Sequence, residues 1–139
     1  MKDVKEMVAK LVRIEQEIYK DKVSLNLFAL LLREGEDKWD LLVSSAWIDR
    51  NVYDSLKYIA SKLQKELNQE ELLEISGIVV IDDIHIIDDI NRSIGKYPHG
   101  VRYPYGEEII NYNLSGTIIQ HGYVLTSHNS VRQSSLAAC

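Results

Sequence analysis

The stretch from Val23 to Ile48, VSLNLFALLLREGEDKWDLLVSSAWI, decides the fold. Two apolar arms flank an acidic turn, Glu34-Gly35-Glu36-Asp37-Lys38, so the segment reads as a β-hairpin. Alternate side chains of a strand share a face. Val23, Leu25, Leu27, Ala29 and Leu31 therefore line one face of the first arm, and Trp39, Leu41, Val43, Ser45 and Trp47 one face of the second. These odd-numbered sets are expected to form a common core surface. The even set is mixed, with Ser24, Asn26, Asp40 and Ser44 beside Phe28, Leu30, Leu32, Leu42 and Ala46. A half-wet face of this kind suits partial helix cover or self-association.

Before the hairpin, Asp3 to Lys20 has helical periodicity. Val4, Met7, Val8, Leu11, Ile14 and Ile18 form one stripe, with Glu6 and Lys10 as an i,i+4 pair. Two heptads are too few for a coiled coil, so this helix is expected to fold onto its own sheet. After the hairpin, Val52, Leu56, Ile59, Ala60, Leu63 and Leu67 predict a helix that Asp49-Arg50-Asn51 can cap. Asn68 can end it and cap a short turn over residues 69–74. Ile78-Val79-Val80-Ile81 is apolar on both faces, which predicts a strand in the middle of the sheet, parallel to the second arm of the hairpin. Asp82-Asp83 stops it and caps a helix over residues 84–94 with Ile86, Ile87, Ile90 and Ile94 inward. Two strands close the domain around a Ser115-Gly116 turn. Ile110, Tyr112 and Leu114 share a face of the first, and Ile119, Tyr123 and Leu125 a face of the second, with Gly122 as a candidate bulge.

The expected fold is α+β, bordering on α/β, in the order α-β-β-α-β-α-β-β, with helices packed on a mixed sheet of about five strands. Residues 1–127 are expected to form a single domain and residues 128–139 a flexible polar tail.

The 139 residues carry a net charge of −5. Affinity for nucleic acid rests on cations that neutralise phosphates, so nucleic acid is not an expected partner. The one cysteine, Cys139, permits no intrachain disulfide. Met1–Lys20 is charged throughout and no apolar run could cross a bilayer. The expectation is a cytoplasmic protein without membrane contact.

Three stretches could carry chemistry. Asp82 and Asp83, with His85, Asp88 and Asp89 nearby, end a strand where open sheets bind ligands, so they could hold Mg²⁺ for phosphoryl chemistry. They also fit plain structural roles, with Asp83 as a helix cap and Asp88 paired to Arg92. Paired Asp at a strand end superficially resembles the response-regulator phosphoacceptor pattern, but the later Asp and Lys strands of that pattern are missing. Glu36-Asp37-Lys38 has the E-x-K form of PD-(D/E)XK nucleases, yet it falls in a hairpin turn and reads as a solvated acidic loop. In Lys96–Gly106, Lys96, His99 and Arg102 alternate with Tyr97, Tyr103 and Tyr105. Cations beside aromatics suit a small anionic ligand, with Lys96, His99, Arg102 and Tyr103 as the binding residues. His121 lies on an apolar parity and reads as a hydrogen-bonded core residue.

No nucleophile, phosphate loop or metal-ligand spacing stands out. The chain reads as a small binding or interaction module without a cofactor, self-associating into a homo-oligomer. The competing reading is a Mg²⁺-dependent enzyme acting on phosphate esters, with Asp82 and Asp83 as ligands.

Overall fold

A computed structural model describes residues 4–21, 25–93 and 107–127. The elements are α1 (Lys5–Asp21), β1 (Leu27–Arg33), β2 (Trp39–Ser44), α2 (Ala46–Arg50), α3 (Val52–Glu66), α4 (Gln69–Glu74), β3 (Ile75–Val80), α5 (Ile84–Ser93), β4 (Glu107–Leu114) and β5 (Thr117–Ser127). The five strands form one sheet in the order β3-β2-β1-β5-β4. It is mixed, because β2 and β3 run parallel while the other three neighbouring pairs are antiparallel. The chain therefore has the expected α+β fold.

The hairpin occupies the centre, but its faces are not those that matching parity implied. Leu30 lies opposite Leu41 and Leu31 opposite Asp40, so the pairing register joins odd positions to even ones. Residues directly opposite share a face. Phe28 and Leu30 consequently join Trp39, Leu41 and Val43 against α1 and α3. Leu27, Ala29 and Leu31 join Leu42 on the other side, beneath α5. Both faces of β1 are dry, and the expected half-wet face does not exist: Leu42, Ser44 and Asn26 are all buried.

The second arm also ends earlier than alternation suggested. Ser45 turns out of the strand and its hydroxyl accepts the Ile48 amide at 3.0 Å. A hydroxyl there satisfies an amide with no partner inside the helix, and α2 begins. Trp47 and Ile48 are thus helical, with Trp47 edge-on to Tyr58 of α3.

Two helices cover the first face. Met7, Val8, Leu11, Ile14 and Ile18 of α1 pack inward with Ile59, Leu63 and Leu67. Lys10 reaches Glu71 of α4 at 2.8 Å rather than pairing with Glu6. Asn68 and Glu71 form a reciprocal capping box that starts α4. One carboxyl enters this apolar layer: Glu15, 3% exposed, accepts a hydrogen bond from Thr126 at 3.1 Å. Burial raises the Glu15 pKa above 4.5, with the Thr126 bond opposing it.

β3 is a marginal strand, not a central one, and Val79 is 39% exposed. Its parallel pairing with β2, through the helical crossover, is as expected. The closing hairpin departs from simple alternation. Asn111 adopts a left-handed φ of 51°, and inward-facing positions change parity across it. Ile109, Tyr112 and Leu114 face the α5 layer, whereas Ile110 is 62% exposed. On β5 the register against β1 slips between His121 and Ile119. Ile119 therefore packs under α5 while Tyr123 and Leu125 pack under α1. Gly122 is not the bulge. It makes room, because a Cβ at that position would stand 2.5 Å from Leu31 Cδ2 and 3.0 Å from Ile109 Cγ1.

Two measurements check this packing. Gly122→Ala should lower stability by about 1–3 kcal/mol, since the buried Leu31 cannot yield without disturbing the core; an unchanged urea midpoint would contradict it. Glu15→Gln should stabilise. A raised folded-state pKa means that the wild type loses stability as pH climbs from about 4.5 through the shifted value. The gain in Tm should accordingly be larger at pH 8 than at pH 4.

Candidate ligand-binding site

Of the acidic cluster, Asp83 is a helix cap. Its Oδ1 accepts the His85 amide at 2.9 Å and its carbonyl accepts the Ile86 amide. Asp82 and His85 are exposed. The described residues contain no group of three or more His, Cys, Asp or Glu side chains placed to hold a metal ion. Lys96, His99, Arg102 and Tyr103 lie outside the described residues. The Glu36-Asp37-Lys38 turn is exposed.

Asp89 gathers contacts from a neighbouring strand and turn. It accepts Tyr112 Oη at 2.7 Å and the Ser115 amide at 2.9 Å, with Arg92 at 3.4 Å. Arg92 thus pairs three residues back to Asp89 instead of four back to Asp88. Ser115 and Gly116 both have positive φ, 49° and 94°, as a two-residue hairpin turn of this twist requires. One carboxylate therefore fastens α5 to a turn whose first residue is a serine held left-handed. Burial pushes the Asp89 pKa up, but the hydrogen bonds from Tyr112 and Ser115 and the Arg92 charge outweigh it, and the net shift is downward.

The cavity lies beside α5. Among the described residues this ten-residue helix alone packs on that face of the sheet, and it does not span it. A recess of about 370 Å³ opens there across the sheet. Leu31, Leu42, Val79, Ile81, Ile86 and Ile119 form most of its wall. Arg33, Asp40, Ser115 and Thr117 supply the polar atoms. Arg33 Nε donates to Asp40 Oδ2 at 2.8 Å, and Ser76 Oγ donates to Asp40 Oδ1 at 2.6 Å. Asp40 is thus satisfied on both oxygens, while the arginine side chain is half exposed and offers its terminal N–H groups. The ion pair follows from the hairpin register: Asp40 opposes Leu31, so Arg33, two residues on, is its diagonal neighbour on the same face.

Sequence reasoning missed this site because it placed Asp40 on a solvated face. The readable signal was a charged residue in each arm of an otherwise apolar hairpin.

On the opposite face, the His121 ring packs 5.5 Å from Trp39 and 4.9 Å from Tyr123 between centroids, with Nε2 against Glu108. It is hydrogen-bonded as expected, but it is only partly buried and lies at the margin of the core instead of within it. No described helix is long and apolar enough to cross a membrane. No protein-family model matches the chain, nor does any curated protein or solved structure.

Asp89→Asn should cost about 1–2 kcal/mol at pH 7, because the amide cannot accept from Ser115 as the carboxylate does. A lowered folded-state pKa means this contribution is present above about 3.8 and fades as pH falls through the shifted value. Denaturation curves of the two proteins should converge as pH is taken down from about 3.8 through the shifted value.

Proposed function

We propose that the protein is a small binding module whose ligand has an apolar body and one anionic group. The observation that supports this is the recess beside α5: an apolar wall about 370 Å³ in volume, with a single arginine at its edge. That size falls at the lower end of ligand pockets, which are generally apolar with a few placed polar groups. Leu42, Ile81, Ile86 and Ile119 would take the body of the ligand, and Arg33 would bond the anion through the terminal N–H groups not used on Asp40. Binding rather than chemistry is favoured because Asp40 already has both oxygens engaged, by Arg33 and Ser76. The anionic ligand expected from the sequence is retained, with a different set of residues to receive it.

Octanoate and octanol are suitable probes, read by the methyl NMR shifts of Leu42, Ile81 and Ile86. Octanoate should bind, and Arg33→Met should weaken it about tenfold, as befits loss of a charge-assisted hydrogen bond, while leaving octanol little changed. Ile86→Trp should exclude both by filling the recess. Absence of any shift at these methyls up to the solubility limit would dismiss the proposal. Stabilisation by millimolar Mg²⁺ in the same samples would instead favour the phosphate-ester enzyme using Asp82 and Asp83.

A further inference from the structure

Arg33 and Asp40 are the charged side chains among the described residues that line the recess beside α5. A third residue, outside the wall, fixes how they stand. Trp39 opposes Ile75 but Asp40 opposes Gly77, so Ser76 is an extra residue in the parallel ladder of β2 and β3. The inward side chains of β3 record it. Ile75, Ile78 and Val80 all pack on the α1 and α3 side, with a step of three residues before the step of two. A bulge of this kind re-aims a side chain, and here it turns the Ser76 hydroxyl onto Asp40. Its Oγ lies 2.6 Å from Asp40 Oδ1 and 3.2 Å from the Trp39 carbonyl oxygen. A hydroxyl has one hydrogen to give, and the nearer, charged acceptor takes it. The other carboxylate oxygen, Oδ2, accepts Arg33 Nε at 2.8 Å. Ser76, Asp40 and Arg33 thus form a chain of hydrogen bonds running from the bulge to the edge of the recess.

We infer that Ser76 and Asp40 are positioning residues for Arg33, and that they make the recess selective for a monocarboxylate over a phosphate dianion. The inference rests on the binding module proposed above and names the anion it takes. With Nε committed to Asp40, the guanidinium presents its two terminal nitrogens end-on, a fork that matches the two oxygens of a carboxylate. Charge sets the limit. Asp40 already balances Arg33, so a bound carboxylate leaves the group with one net negative charge, and a phosphate monoester dianion leaves it with two. The Asp40 side chain is only 13% exposed, so water screens it weakly. Most of the surrounding wall is aliphatic and cannot offset the second charge. The chain's net charge of −5 opposes it further.

The probes are octanoate, octyl phosphate and octanol at pH 8, where the phosphate carries close to two charges. Binding is read by the methyl NMR shifts of Leu42, Ile81 and Ile86, with octanol as the uncharged reference. Octanoate should bind at least about tenfold more tightly than octyl phosphate. Asp40→Asn removes the charge and keeps the shape, and should narrow that preference. Ser76→Ala should weaken octanoate about threefold to tenfold relative to octanol and speed exchange of the Arg33 Nε proton. Ser76→Thr, which keeps the hydroxyl, should restore both. Ser76 is exposed, so these changes spare the core. Octyl phosphate bound by the wild type as tightly as octanoate would overturn the selectivity. Unchanged octanoate affinity and Nε proton exchange in Ser76→Ala would overturn the positioning role. Either result leaves the binding module standing, whereas no methyl shift with any of the three probes ends the module and this inference together.

Discussion

The pairing of Leu31 with Asp40 governs the rest of this molecule. A register in which odd residues oppose even ones leaves the central strand no wet side. Leu27 to Leu31 are all buried, and each face of the sheet must be roofed by helices. Among the described residues one roof is broad, made by α1 and α3, and the other is the short α5. The same register brings Arg33 beside Asp40 on the thinly roofed face. Core, recess and the charge at its edge thus share one geometric cause.

Much of the architecture was legible because periodicity is a local property. The stripe through Leu11, Ile14 and Ile18, the cap at Asn68 and the Ser115-Gly116 turn each announce themselves within a few residues. The hairpin register does not, since slipping it by one residue exchanges the faces without altering either strand's pattern. GIVVI misled for a related reason. Being apolar on both faces does not say that strands lie on both sides: among the described residues β3 has a neighbour only at β2, and Val79 on its α5 side is exposed. At Ser45 a competing signal was present: a serine ahead of a short helical run is a capping signature, and apolar alternation through Trp47 masked it. The candidate site was the least legible part, because its wall draws on all five strands, the turn at Ser115 and one helix, which only the sheet order brings together.

Two carboxyls show how position sets the sign of an electrostatic contribution. Glu15 sits among aliphatic side chains with a single hydroxyl for company, so its proton is favoured. Asp89 is also mostly buried, yet donors on a neighbouring strand and turn converge on it and its charge is favoured. The first lowers stability as pH climbs from about 4.5, and the second contributes stability that is lost as pH falls below about 3.8. Asp89 also ties the thin roof down, and the recess keeps its shape partly because Ser115, on its rim, is held by that bond.

The left-handed residue at Asn111 has a consequence for how these molecules could stack. A chain with two open margins could join head to tail, each sheet extending the next into a ribbon without limit. At Asn111 the side of β4 that faces inward switches, with Ile109 before it and Tyr112 and Leu114 after it packing under α5, while the register with β5 runs on unshifted. A strand whose alternation fits one half of that margin is out of phase with the other half, so regular extension of the sheet on the β4 side is disfavoured.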